Sequence, residues 1–92
     1  MESVKVGEVV QSIQGHDKGQ LYIVIGVNDN RVLLCNGEYK LLKNPKTKNI
    51  AHIINLHNQD NEIATKLANG LKINDQMIYH SIVKYKKLIK EN

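Results

Sequence analysis

From Lys5 to Leu56 the apolar side chains stand in short, β-branched clusters that glycine and asparagine separate. Clusters of this length, bounded by turn-forming residues, are typical of short strands. We therefore predict five strands, over residues 6–13, 21–27, 32–35, 41–42 and 50–56. Five such strands are too few for two packed sheets, but they can curl into a small, partly open barrel that hides most of its edges.

Two segments rich in asparagine predict the connections between these strands. Asn36-Gly37 tolerates positive φ at both positions, which favours a type I′ turn and a tight hairpin between the third and fourth strands. Residues 28–30, Asn-Asp-Asn, predict a second turn, because Asn and Asp accept left-handed conformations and hydrogen-bond their own backbone. The strands should therefore follow one another as a meander.

The pattern changes after Leu56, where a polar segment leads into helical spacing. Asp60 is a favourable N-cap residue, and Gly70 is a favourable end for the helix that follows it. A second helix is predicted to begin at Asn74 or Asp75. The apolar positions are Ile63, Ala64, Leu67 and Ala68 in the first helix and Ile78, Ile82, Tyr85 and Ile89 in the second.

The barrel and the helices are predicted to pack together. A chain of 92 residues rarely buries two separate cores. No linker rich in Pro, Gly and Ser separates the two parts. We therefore expect a mainly β protein, with a barrel over residues 1–57 and a helical hairpin over residues 58–92 that packs on it.

The charge balance points to an anionic partner. Thirteen Lys and Arg residues against nine Asp and Glu residues give a formal net charge of +4, which favours nucleic acid. The single cysteine, Cys35, cannot form an intramolecular disulfide and fits a reducing cytoplasm. The N-terminus has no export signal pattern, and no apolar run approaches the roughly 18 residues of a membrane span. We expect a cytoplasmic chain without membrane contact.

Three glycines give residues 6–24 the most specific pattern in the chain. Gly7 opens the first predicted strand, Gly15 lies in the first loop, and Gly19 closes that loop before the apolar second strand. Glycine permits positive φ and leaves a bare backbone that a phosphate can approach closely. The segment resembles a KOW motif, and residues 48–53 resemble the final barrel strand of certain KOW-bearing large-subunit ribosomal proteins.

This resemblance covers residues 4–57 and implies an SH3-like barrel that binds ribosomal RNA in a ribosomal or translational setting. Lysine offers phosphate a point charge, whereas arginine can form two parallel hydrogen bonds. The four lysines from Lys40 to Lys48 therefore predict recognition of the RNA backbone and shape with little recognition of base sequence. The glycine loop should approach a phosphate ridge, the lysines should neutralise phosphates, and Asn49 and His52 should add hydrogen bonds. The predicted RNA-binding residues are Gly15, His16, Asp17, Lys18, Gly19, Arg31, Lys40, Lys43, Lys46, Lys48, Asn49 and His52.

Plainer interpretations of the lysines remain open at this point. Lysines also protect exposed edge strands from aggregation. The C-terminal lysines can extend an RNA surface, cover the outer face of an amphipathic helix, or, less favourably, lie on an anionic membrane. These residues are Lys84, Lys86, Lys87 and Lys90.

Other functional classes have weaker support in the sequence. Cys35 lies in an apolar segment without a catalytic signature, and no phosphate-binding motif or metal-ligand spacing is present, so we expect neither an enzyme nor a cofactor. The leading alternative is a protein-binding adaptor of the transcription or translation machinery, whose mark would be a contiguous exposed patch of Leu41, Leu42 or Ile54. DNA is a weaker alternative, because no helix carries regularly spaced base-reading side chains.

Overall fold

The computed structural model describes residues 4–90, in which five antiparallel strands are followed by two helices. The strands form one sheet in the order β4-β3-β2-β1-β5, so β4 and β5 are its edges. The elements are β1 (Glu8–Ser12), β2 (Leu21–Asn28), β3 (Arg31–Cys35), β4 (Lys46–Asn49), a 3-10 helix (Ile50–His52), β5 (Ile53–Gln59), α1 (Asn61–Ala68) and α2 (Asp75–Lys90). The predicted fold class, mainly β with a helical end, is confirmed.

The sheet buries side chains on both of its faces, because neighbouring residues of a strand point in opposite directions. The inner cluster consists of Val10, Tyr22, Val24, Val32, Leu34 and Ile53. The outer cluster joins Val9, Ile23 and Cys35 of the sheet to Ile63, Ile78 and Ile82 of the helices. The helices therefore pack on the outer face of the sheet, while the barrel-like curvature encloses the inner one.

Two irregularities in the strands assist this curvature. The register shifts between Glu8 and Val10 in the pairing of β1 with β5, and between Val24 and Gly26 in the pairing of β2 with β3. Bulges of this kind bend a strand and increase its twist. They allow a sheet of few strands to curl around one cluster of side chains.

The connection between β3 and β4 is not the tight hairpin that Asn36-Gly37 predicted. Asn36 is buried, and its Oδ1 accepts hydrogen bonds from the backbone N–H groups of residues 38–40. Gly37 has a φ of 73°, but Asn36 does not have positive φ, so a type I′ turn does not form. The prediction of a tight type I′ turn is wrong, because the Asn36 side chain organises a longer loop over residues 36–45, although β3 and β4 do pair as consecutive antiparallel strands.

The fourth strand is Lys46–Asn49 and not the predicted residues 41–42. Leu42 packs against the outer cluster instead, and its N–H donates to Oδ1 of Asp75 at 2.8 Å. The strand that forms is Lys-Thr-Lys-Asn, which has no apolar residue. A search for apolar clusters could therefore not find it.

Both helices begin at the predicted positions. The Oδ1 atom of Asp60 accepts a hydrogen bond from the N–H of Ile63 at 3.0 Å. The Oδ1 atom of Asn74 accepts one from the N–H of Met77 at 2.8 Å. Side-chain caps of this kind satisfy N–H groups that have no partner within the helix.

The apolar stripe of α2 is shorter than predicted. Ile78 and Ile82 are buried and Tyr85 is partly buried against the outer cluster. Ile89, predicted to continue the stripe, is 50% exposed. The helix extends beyond its last contact with that cluster, so its C-terminal turn offers apolar as well as basic side chains to solvent.

Candidate nucleic-acid interface

A group of polar side chains surrounds Asp17, on the loop between β1 and β2. The Asp17 carboxylate accepts hydrogen bonds from Oγ of Ser12 at 2.9 Å, from the Tyr22 hydroxyl at 2.8 Å and from Nζ of Lys48 at 2.8 Å. Nζ of Lys46 lies 3.6 Å from Oδ2 of Asp17. We call these five residues the Asp17 cluster. Two ammonium groups face one carboxylate, so these charges leave a local positive excess.

Burial and hydrogen bonding have opposite effects on the pKa of the Asp17 carboxyl group. Burial by itself raises the pKa of Asp17, but the hydrogen bonds from Lys48, Tyr22 and Ser12 and the charge of Lys46 outweigh it and hold the pKa well below its usual range. The pKa of Tyr22 is raised above its usual range, first by burial and then by its hydrogen bond to Asp17. At neutral pH the cluster therefore contains an ionised Asp17 and a protonated Tyr22.

The lysines of β4 point towards the inner face of the sheet. Lys48 lies opposite Val32 and Lys46 opposite Leu34, and opposed residues of an antiparallel pair share a face. The Lys48 ammonium also donates to the carbonyl oxygen of Gln14 at 2.9 Å. It therefore connects the edge strand β4 to the β1–β2 loop across the opening of the barrel.

Three of the predicted RNA-binding residues thus have an internal role. The side chains of Asp17 and Lys48 are 12% and 10% exposed, and their charges face each other. Lys46 is 29% exposed and retains a route to solvent. Asp17 and Lys48 fix the shape of the loop, which leaves its outer surface to the neighbouring residues.

The glycine loop, residues 13–20, presents backbone to solvent. Gly15 and Gly19 have φ of 93° and 95°, and a Cβ at Gly19 would meet no atom within 4 Å. His16 and Lys18 are exposed. Within residues 4–90 the backbone N–H groups of Gly15 and His16 have no hydrogen-bond acceptor. An ordered loop therefore offers adjacent free donors beside basic side chains, an arrangement that suits a phosphate oxygen.

The loop over residues 36–45 adds an aromatic residue that was not predicted. Tyr39 is 52% exposed. Burial and Asp17 are the main causes of the raised pKa of Tyr22, and the neighbouring Tyr39 adds to them. Tyr39 therefore stands next to the Asp17 cluster, with Lys43 exposed and Lys40 half-buried on the same loop. The available sequence signal was weak: Tyr39 is one of four tyrosines in a chain without Phe or Trp, and it directly precedes a lysine.

The remaining predicted residues lie at the other end of β4. Arg31 is exposed at the start of β3, where it pairs with Asn49 in the sheet register. The Oδ1 of Asn49 accepts a hydrogen bond from the N–H of Ala51 and so caps the 3-10 helix. His52 is half-buried, and its carbonyl oxygen accepts from the N–H of Ile13. His52 contacts the glycine loop through its backbone, but within residues 4–90 none of the three side chains hydrogen-bonds to that loop, so they are secondary to the surface around Tyr39 and Lys18.

The surroundings of Cys35 disfavour the reactive thiolate form. Cys35 is fully buried in the outer cluster, and burial, followed by the charge of Asp75, raises the pKa of its thiol to about 11. In the described part of the chain, no three His, Cys, Asp or Glu side chains are grouped so that they could hold a metal ion. No helix between residues 4 and 90 is long and apolar enough to span a membrane.

Comparison of the chain with protein-family models and with curated proteins found no match. The functional conclusion therefore depends on the chemistry of the site and on the pattern of residues 6–24. That chemistry consists of free backbone donors, exposed cations and one exposed aromatic side chain around the opening of a small barrel.

Proposed function

We propose that this chain is an RNA-binding protein that docks on structured RNA through the glycine loop and the adjoining loop over residues 36–45. We define this RNA-docking surface as Gly15, His16, Lys18, Gly19, Tyr39, Lys40, Lys43 and Lys46. In this proposal the backbone N–H groups of Gly15 and His16 donate hydrogen bonds to phosphate oxygens, and the lysines neutralise phosphates. Tyr39 stacks on an unpaired base or a sugar.

The strongest support is the combination of an ordered loop with two adjacent exposed amides, those of Gly15 and His16, that have no acceptor within residues 4–90. The loop is held from inside by Asp17, which is hydrogen-bonded to three side chains. Donors held in place before binding lose little conformational entropy when a ligand arrives. The Cβ position of Gly19 faces open space, so an RNA backbone can approach the loop closely at that residue.

The distribution of charge gives independent support. Within residues 4–90, three of the thirteen Lys and Arg side chains form ion pairs, namely Lys46, Lys48 and Lys66. Several acidic residues are engaged in the fold: Asp60 caps α1, and Asp75 accepts the N–H of Leu42. The cations that remain, together with Lys46, whose ion pair to Asp17 is long and whose side chain is partly exposed, are available to release counterions from RNA phosphates on binding.

Ribosomal RNA is the RNA that we expect. Residues 6–24 and 48–53 resemble segments of KOW-bearing large-subunit ribosomal proteins, and association with the ribosome follows from that resemblance. The chain contains one arginine, so few side chains could form the bidentate hydrogen bonds that distinguish base edges. The proposed binding therefore depends on backbone shape and charge, in a cytoplasmic and non-enzymatic role.

The competing proposal is a protein-binding adaptor, for which Leu41, Leu42 and Ile54 were the diagnostic residues. Ile54 is 47% exposed, whereas Leu41 is half-buried and Leu42 packs against the outer cluster. The three residues therefore do not present one contiguous exposed patch, which favours RNA over the adaptor.

The proposal is tested by titrating the full chain with a structured ribosomal RNA fragment, a matched DNA duplex and an unrelated RNA across a salt series. If four to six phosphates are engaged, log K should fall against log salt with a slope of about −3 to −5. Binding should favour RNA over the duplex DNA. A folded chain that binds no RNA at physiological salt, or a flat salt response, contradicts the proposal and moves the choice to the adaptor.

A charge variant and a matched control locate the surface. Lys18→Gln/Lys40→Gln/Lys43→Gln should make the salt slope shallower by about 2 to 3, since each lysine that contacts a phosphate contributes about 1. The control Lys5→Gln/Lys66→Gln/Lys72→Gln removes the same charge from other segments and should retain most of the affinity. Lys46 and Lys48 are kept intact in both, because their loss would disturb the Asp17 cluster.

A further inference from the structure

One side of α2 carries an exposed stripe that the outer cluster does not use. Tyr79 and Val83 are 41% and 40% exposed, and Lys86 and Lys90 are exposed as well. Their spacing of four, three and four residues places all four on one line along the helix. We call them the α2 outer stripe. From Tyr79 to Lys90 the stripe extends about 16 Å at the helical rise.

The two sides of α2 differ in their acidic neighbours. Lys84 and Lys87 line an open groove of about 560 Å³ together with Asp60 and Glu62 of the α1 start. The α2 outer stripe does not line that groove. The sequence from Gln76 to Lys90 contains no Asp or Glu. The cations of the stripe are therefore less compensated than those on the groove side.

The α2 outer stripe is continuous with the RNA-docking surface. A Cβ on Gly37 would lie 2.6 Å from the backbone nitrogen of Tyr79, so the loop over residues 36–45 lies directly against α2 at the first residue of the stripe. The same loop carries Tyr39 and Lys43. A polyanion that leaves the barrel opening along this loop meets Tyr79 next.

We propose that the α2 outer stripe binds the phosphate backbone of the same RNA, so that the helix doubles as a second, sequence-independent contact surface. This inference depends on the RNA-binding function proposed above. Lys86 and Lys90 supply phosphate contacts, and Tyr79 packs its ring on a sugar or base at the junction with the loop. Charge complementarity selects RNA as the occupant, since the stripe itself carries two ammonium groups and no carboxylate.

The test compares two variants of the same helix. Lys86→Gln/Lys90→Gln removes the charges of the stripe, and Lys84→Gln/Lys87→Gln removes equal charge from the groove side. Glutamine and lysine have similar helix propensity, so both variants should keep α2 folded, which circular dichroism verifies. Each is titrated with the structured ribosomal RNA fragment across the salt series.

We expect the stripe variant to bind about tenfold more weakly than the wild type, with a salt slope shallower by about 2. The groove-side variant should lose less than about threefold. Equal losses in the two variants, or no loss in the stripe variant, would overturn the inference. If the wild-type chain binds RNA and only the Lys18→Gln/Lys40→Gln/Lys43→Gln variant is weakened, the proposed function stands and this inference fails. If the wild type binds no RNA, both fail.

Two further measurements decide between RNA and other occupants of the stripe. Sedimentation with vesicles of phosphatidylserine and phosphatidylcholine tests a membrane, and sedimentation equilibrium tests a second copy of the chain. Loss of vesicle binding or of self-association in the stripe variant, with unchanged RNA affinity, would overturn the assignment to RNA. Unchanged behaviour in both measurements beside weakened RNA binding supports it.

Discussion

Asp17 shows how a single acidic side chain shapes a surface that we propose binds anions. Its carboxylate accepts hydrogen bonds from Ser12, Tyr22 and Lys48, and it lies below the exposed backbone of the glycine loop. An acidic residue in a candidate phosphate site would ordinarily repel the ligand. Here Lys46 and Lys48 more than balance its charge. In the proposed site, Asp17 therefore acts on a phosphate by fixing the shape of the loop and not by repulsion.

We expect Asp17→Asn to lower the free energy of unfolding at pH 7 by about 3 kcal/mol, because it leaves Lys48 as a largely buried charge without a counter-ion. The difference should depend on pH. The folded-state pKa of Asp17 is depressed, so its contribution is present above the ordinary carboxyl pKa of about 3.9 and is lost as the pH falls below that value. Urea unfolding between pH 2.5 and 7 measures both effects.

The gap between the wild-type and Asp17→Asn stability curves should narrow as the pH falls from about 3.9 to 2.5 without closing, because the folded-state pKa of Asp17 lies lower still. Asp29→Asn is the matched control, since it removes the same charge from the exposed β2–β3 turn, at a residue whose φ of 55° asparagine also tolerates. A constant gap between wild type and Asp17→Asn over the whole range would contradict the assigned role of this carboxylate.

At the scale of elements, the loop over residues 36–45 depends on one glycine. Gly37 has a φ of 73°, and a Cβ at this position would overlap the Asp75 carbonyl oxygen and lie 2.6 Å from the backbone nitrogen of Tyr79. The close approach of the loop to α2 is therefore possible only without a side chain. The loop and the helix should respond together when that contact is broken.

We expect Gly37→Ala to cost about 3 to 4 kcal/mol of unfolding free energy, from backbone strain plus the clash with α2. Gly19→Ala separates the two causes, because Gly19 also has positive φ, at 95°, but faces open space. It should cost only about 1 to 2 kcal/mol. Thermal or urea unfolding of the two variants measures the difference, and equal costs would show that contact with α2 contributes nothing.

The elements also show what the sequence could and could not reveal. β1, β2, β3 and both helices were found because apolar spacing and caps are local signals. β4 was missed because its inward positions hold Lys46 and Lys48, which are satisfied by Asp17 from a distant part of the chain. Tyr39 was missed for a similar reason, since its place beside Tyr22 results from the fold. Non-local pairing of polar residues leaves no periodic trace in a sequence.

At the scale of the whole molecule, Cys35 reports on the packing of helices against sheet. Its thiol is fully buried between them, and burial together with the charge of Asp75 raises its pKa to about 11. Both effects suppress attack on a disulfide reagent, since the thiolate is the reactive form. Labelling should therefore require the helices to separate from the outer face of the sheet.

We expect the native thiol to react far more slowly than the unfolded one, and Ile78→Ala to accelerate labelling by about a hundredfold through a loss of about 3 kcal/mol. Leu88→Ala is the control, because Leu88 is 49% exposed and its truncation should leave the rate almost unchanged. Timed reaction with an aromatic disulfide reagent measures the rates. Rapid labelling of the wild type would contradict the burial of Cys35.

The inward lysines of β4 also affect how copies of this protein behave at high concentration. An edge strand exposes unpaired backbone groups and can add to the sheet of a neighbouring molecule. For β4 to flatten against such a neighbour, Lys46 and Lys48 would have to leave Asp17, and two charges would be carried into the new contact. The ion pairs that close the barrel therefore protect this edge against aggregation, a safeguard that would be lost with Asp17 even in a variant that still folds.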